Sequence, residues 1–155
     1  MGHFFKSARY QDVPPELKTG GDFDGWFYWP SESFEAKTAG PFFSKKEQDG
    51  YVSAFRAEEK HMNSGGVVHG GCLMTFADFS LFTIAHDHMN DENTYGLTVA
   101  FTSEFLSGAK LGHLIEARGD VLRAGRSIIF VRGVVTSNDV PCLNFSGTIK
   151  KVTQS

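Results

Sequence analysis

From about Val68 to His88 the chain places apolar side chains on nearly every side of one helix, and after residues 90–93 it reads as strand to its end. Leu73, Met74, Phe76, Ala77, Phe79, Leu81, Phe82, Ile84 and Ala85 wrap that helix, and a helix greasy all round is one that other elements cover. The cover is legible. Leu97–Leu106, His113–Arg123, Ser127–Ser137 and Cys142–Val152 alternate like strands, and Gly108–Gly112, Ala124-Gly125-Arg126 and Asn138-Asp139 suit the turns between them. Ahead of the helix, strand-like Phe42–Lys46 and Tyr51–Ala57 flank a turn at Asp49-Gly50. One buried helix with consecutive antiparallel strands is an α+β layout, a sheet curled over a central helix.

A chain of 155 residues makes one domain of that kind with a real core. Its formal charge of −3 gives no reason to expect nucleic acid or an anionic membrane as a partner. No stretch approaches the roughly 20 apolar residues that span a bilayer, and the N-terminus lacks the apolar region of a secretion signal, so a cytoplasmic protein is expected. Cys72 in the helix and Cys142 in a strand read as reduced core thiols. Residues 1–39 differ from the rest, with Phe23, Trp26, Phe27, Trp29 and Phe34 in a short span. They form an aromatic extension ahead of a domain over 40–155, either covering apolar surface or closing over a pocket.

Chemistry concentrates where a glycine-rich loop empties into the helix, Asn63-Ser-Gly-Gly-Val-Val-His69-Gly70-Gly71, followed by the lone acid Asp78. The first turn of a helix offers unpaired N–H groups that can hold a developing oxyanion, and a carboxylate can drive attack on a carbonyl. The segment reads as part of a site for acyl chemistry. Asp78 lies roughly 12 to 13 Å along the axis from the helix start and is turned from it by roughly 140 to 180°. One chain cannot readily bring both groups to one carbonyl; two chains can, if their helices pack antiparallel. A site shared across a dimer is therefore expected.

Taken singly, each residue also has an ordinary explanation. Asp78 could accept hydrogen bonds at a subunit interface, His69 could close the loop, and Asn63 could turn it through its own side chain. Gly70 and Gly71 serve either backbone conformation or close approach of a ligand, and the helix dipole makes the Gly70 N–H a natural oxyanion donor. Thr98 is an ordinary strand residue, sharing a face with Ala100, Thr102 and Glu104 under strict alternation. His86-Asp87-His88 splits its imidazoles at i, i+2, unlike a zinc helix, so no metal is expected. No nucleophile elbow or phosphate loop is present, and neither cysteine has the context of an activated nucleophile.

The separations of Asn63, His69-Gly70-Gly71 and Asp78 resemble the signature of hotdog-fold acyl-CoA thioesterases of the phenylacetate-degradation type. The resemblance covers roughly residues 40–152 and includes Gly40-Pro41-Phe42, Leu106-Ser-Gly-Ala-Lys-Leu-Gly112 and Gly125-Arg126-Ser127. It implies an antiparallel sheet wrapped around a long central helix, homodimers and often homotetramers, and hydrolysis of acyl-CoA to acid and CoA. It also implies roles for individual residues. Asp78 would be nucleophile or general base, Gly70 the oxyanion donor from the opposite subunit, and Asn63 and His69 positioning groups. Thr98 would orient the attacking water, with Gly71, Arg126 and Ser127 meeting substrate. Arg123, Lys150 and Lys151 are further candidates for CoA phosphates. No cofactor is implied beyond CoA as part of the substrate. The competing readings are a hotdog module that binds an acyl ligand without turnover, and a hydratase or dehydratase, which would want a His and an acid paired on the acyl chain.

Overall fold

The computed structural model describes residues 14–89 and 94–153. One helix, α1 (Gly70–Ile84), lies in the hollow of an eight-stranded antiparallel sheet. The strands are β1 (Glu16–Leu17), β2 (Phe27–Tyr28), β3 (Phe43–Glu47), β4 (Gly50–Arg56), β5 (Thr94–Phe105), β6 (Leu114–Ala124), β7 (Ile128–Ser137) and β8 (Val140–Thr153). Their order is β1-β2-β3-β4-β6-β7-β8-β5, so β5, which follows the helix, becomes an edge. Each anticipated strand appears within a few residues of its expected bounds. The β7–β8 hairpin turns on Asn138 and Asp139, both at positive φ (44° and 68°), the backbone that matches the twist of paired strands.

Leu73, Phe76, Ala77 and Leu81 of α1 are fully buried against Ile115, Ala117, Ile129, Val131, Phe145 and Ile149 of the sheet. The approach is close because the sheet yields backbone to it: a Cβ on Gly147 would lie 2.4 Å from Leu81 Cδ1. The helix is not covered all round, contrary to the reading from its composition. Gly71 and Met74 are exposed and Thr75 and Asp78 half-buried, which leaves an open stripe on the side away from the sheet. The apolar count was high, but small and polar residues occupy that one side.

The aromatic extension adds structure the sequence did not announce. Its two short strands extend the sheet beyond β3, with Leu17 opposite Phe27 and Phe27 opposite Ser44. Phe23 stacks on Phe43 (centroids 4.2 Å apart, planes 9°) with Trp26 at its edge, forming a small second core with Ala54. Lys45 Nζ lies 4.6 Å over the Trp26 ring, and Asp22 accepts from Arg56 at 2.7 Å. The arm then reaches α1. Trp29 meets Phe79 edge-on, and a short wide helix, Phe34–Ala39, packs on α1.

Candidate active site

The loop before α1 is held by its own side chains. Asn63 Oδ1 accepts from the N–H groups of Gly65 (2.8 Å) and Val67 (3.2 Å), while Gly66 supplies the positive φ of 79°. His61 secures the loop from below. Its Nδ1 accepts from the Glu58 N–H at 2.9 Å, which leaves Nε2 to donate to the Ala39 carbonyl at 2.8 Å. Its backbone carbonyl in turn accepts from the His69 N–H. Burial holds the His61 ring below its ordinary pKa, in keeping with a neutral imidazole in this role.

His69 caps the helix. Nδ1 accepts from the Gly71 N–H (2.9 Å), and the His69 carbonyl accepts from Cys72 and Leu73. Of the first four N–H groups of α1, that leaves Gly70 without an acceptor among the described residues. The N–H singled out in the sequence is thus the open one, and that of Gly71 is spent on the cap. Gly70 is also crowded, since a Cβ there would meet the Phe105 ring at 3.0 Å.

Asp78 points from the open stripe toward β5, where the Thr98 hydroxyl donates to its Oδ1 at 2.7 Å. Strict alternation would have put Thr98 on the face of Ala100, Thr102 and Glu104. A bulge between Thr98 and Ala100 resets the phase, so Thr98 faces the helix along with Phe101 and Phe105. Eight steps of α1 separate Gly70 from Asp78 by about 12 Å along the axis but by only about 80° around it. The expected near-opposite orientation therefore does not hold for Gly70; axial distance alone keeps the two apart within one chain.

Two clefts flank these groups. One of about 490 Å³ lies between the arm helix and the first turns of α1, walled by Phe34 and Thr38 on one side and His69, Gly71, Cys72 and Thr75 on the other. The other, of about 570 Å³, gathers Arg126, Ser127 and Lys151 with His88, Thr94 and Thr153. Arg123 and Lys150 lie outside it, on exposed positions of β6 and β8. Cys72 and Cys142 are free thiols, both pushed up to about 11 by burial and so poor nucleophiles. His86-Asp87-His88 forms a tight turn in which Asp87 accepts from Lys46 and Tyr51, each at 3.1 Å.

Sequence reasoning missed Glu35. Its carboxyl is pushed up to about 7, first by burial and then by the nearby charge of Asp78. Only its place after Ser33, a helix-capping residue, within an aromatic run could have drawn notice.

The thioesterase superfamily model matches residues 65–142. The Pseudomonas aeruginosa protein called "Putative esterase PA0474" is 32% identical over 110 residues, 70% of this chain and 81% of that one. Human acyl-coenzyme A thioesterase 13 is 30% identical over 79 residues, 51% of this chain and 55% of its own length, so that match spans about half of the relative. Among solved structures, a hypothetical thioesterase protein from Streptococcus pneumoniae with coenzyme A superposes with a TM-score of 0.67 at 21% identity, over 78% of this chain and 94% of that one. The Escherichia coli PaaI protein of the phenylacetic acid degradation operon gives 0.64 at 19%, over 75% and 86%. At these identities the structures speak for the fold alone.

Proposed function

This chain belongs to the thioesterase superfamily and is a thioester hydrolase, and from that premise we propose that it hydrolyses acyl-CoA thioesters in a site completed by two copies of the chain. The observation that carries the reading is the pair of unspent groups on α1: a Gly70 N–H with no acceptor among the described residues, and an Asp78 carboxylate oriented by Thr98. The Gly70 N–H, at the positive end of the helix dipole, donates a hydrogen bond to the thioester oxygen as it becomes an oxyanion. Asp78 takes a proton from water, whose oxygen attacks the carbonyl carbon. The tetrahedral intermediate collapses with cleavage of the C–S bond, and the thiolate leaves as CoA after gaining a proton. Direct attack by Asp78, with water cleaving the resulting anhydride, uses the same groups.

The axial gap of about 12 Å supports a reading in which Gly70 and Asp78 of one chain serve different sites. An antiparallel partner helix brings the partner's helix start to Asp78. The edge strand β5, with Leu97, Val99 and Phe105 about half-exposed, offers the seam for such a partner. Arg126, Ser127 and Lys151 suit the phosphates of CoA, and solved relatives from Streptococcus pneumoniae and Streptococcus mutans hold coenzyme A and acetyl-CoA. His69 Nε2 and the Asn63 amide are left to position the thioester. No helix among the described residues is long and apolar enough to cross a membrane, and a cytoplasmic setting for this chemistry is part of the proposal.

Thiol release from a panel of aryl- and alkyl-CoA thioesters, by wild type and Asp78→Ala, tests the reading. Turnover that disappears in the variant supports it. Tight acyl-CoA binding by the wild type without turnover would replace it with a non-catalytic binding module.

A further inference from the structure

Beside the open Gly70 N–H runs the cleft of about 490 Å³ between the arm helix and the first turns of α1. Sites that enclose small molecules measure roughly 300 to 1,000 Å³. The helix wall of the cleft begins with His69 and Gly71, the residues on either side of Gly70, and continues through Cys72 and Thr75. From His69 to Thr75 it runs about 9 Å along the axis. Gly71, Cys72 and Thr75 span about 100° around the helix, and Asp78 lies only about 20° outside that sector. The arm forms the opposite wall with Phe34 and Thr38. It is pinned there, since Ser33 caps its helix and Trp29 meets Phe79 edge-on. The buried Ala39 and His61 make the floor, tied to each other by the 2.8 Å bond from Nε2 to the Ala39 carbonyl.

The polar groups of the cleft are already partnered. His61 Nδ1 takes the Glu58 N–H, Lys60 donates to the Gly40 carbonyl, and the Thr75 hydroxyl donates to the Gly71 carbonyl at 2.8 Å. An apolar guest covers such groups without stranding a donor or an acceptor. No carboxylate lines the cleft among the described residues, and Phe34 keeps 65% of its surface exposed on the arm wall. Covering that ring is a favourable contribution that only an apolar guest can make.

We propose that this cleft receives the acyl group of the thioester, an uncharged chain or ring of medium length, and that Phe34 sets the preference among them. The assignment rests on the thioesterase reading given above. A carbonyl oxygen at the Gly70 N–H places the acyl carbons next to His69 and Gly71, where the cleft begins. An acetyl group would leave most of it unfilled. Phe34 and Thr38 lie outside residues 65–142, so the preference is set by a part of the chain that the superfamily match does not cover.

Cys72 reports occupancy of the cleft without any turnover, because the other of the two cysteines, Cys142, is fully buried. The probes are S-methyl-CoA and S-octyl-CoA, thioethers with no free thiol and no bond to hydrolyse. Each is added to the full-length chain at about 20 times its Kd from titration calorimetry, and alkylation of Cys72 by iodoacetamide is followed by intact mass. S-octyl-CoA should slow labelling at least about tenfold relative to S-methyl-CoA. In turnover, kcat/KM should rise about fourfold per methylene from acetyl-CoA upward while the chain fills the cleft. Phe34→Ala should lower the ratio of kcat/KM for octanoyl- over acetyl-CoA roughly tenfold. Thr38→Trp, at an exposed position, narrows the cleft and should lower the same ratio. Thioethers that bind yet leave Cys72 equally reactive overturn the proposal while the thioesterase reading stands, and so does a ratio that neither substitution moves. Failure of both thioethers to bind, with no turnover of any acyl-CoA, overturns the thioesterase reading itself.

Discussion

Thr98 reaches Asp78 because β5 is irregular: the bulge after Thr98 lets the strand present Thr98, Phe101 and Phe105 to the helix in succession. The bond of 2.7 Å between hydroxyl and carboxylate therefore depends on a backbone defect. Hydrogen bonds to ionised groups are worth about 1.5 to 3 kcal/mol. Thr98→Val, which keeps the shape and removes the donor, is expected to lower kcat roughly 10- to 100-fold. Thr98→Ser should recover most of the loss. Equal activity of the Val and Ser variants would separate the hydroxyl from the reaction.

Gly70 permits an unusually direct test of a backbone donor. Ala and Pro both add a Cβ that must displace the Phe105 ring, but only Pro removes the N–H. The position tolerates Pro, since it is the first residue of α1 and His69 before it is extended, with φ −58° and ψ 132°. Gly70→Pro should fall roughly 100- to 1,000-fold in kcat below Gly70→Ala, the cost of losing one oxyanion donor. Adding Phe105→Leu to both should restore space without closing the gap between them. Steady-state kinetics on the four variants decides it.

How much of this the sequence disclosed follows the range of the forces involved. The helix, six of the eight strands and their turns were legible because periodicity and turn chemistry are local. The pairing of Gly70 with Asp78 was legible as spacing along one helix. The open stripe was not, because Gly71, Thr75 and Asp78 are few among many apolar neighbours and only the sheet shows which side they occupy. The phase of Thr98 was misread because a bulge leaves no sign in alternation. Glu35 was invisible for a different reason: its environment is made by Trp29–Phe79 and His61–Ala39, contacts between segments 22 to 50 residues apart.

Two ionisations set opposite pH limits on the seating of the arm. The His61 pKa is lowered in the fold, so the unfolded chain binds its proton more readily; this contribution to stability is full above about 6.5 and is lost as pH falls toward the lowered value. The Glu35 pKa is raised to about 7, so its contribution is full below the ordinary value of 4.5 and is lost as pH rises through about 7. Melting temperature should therefore decline on both sides of a maximum. His61→Gln should flatten the acid side and Glu35→Gln the alkaline side, as read by thermal unfolding across the range. Unaltered slopes in both variants would mean that these two groups do not govern the arm.

Sharing of the site between chains has a quantitative signature. An Asp78→Ala chain keeps a sound helix start, and a Gly70→Pro chain keeps a sound carboxylate. Each alone assembles only sites lacking one group. In a mixed dimer one site receives Asp78 from one chain and the Gly70 N–H from the other, while the second site lacks both. Unfolding the two inactive proteins together at equal amounts and refolding them should give half mixed dimers, each with one working site of two. Activity should return to about a quarter of the wild-type value per chain. Mixing without unfolding should recover it only as fast as subunits exchange. If each chain built its site alone, every site in the mixture would remain defective and no activity would return, even where light scattering and exchange of a labelled chain show that mixed dimers have formed.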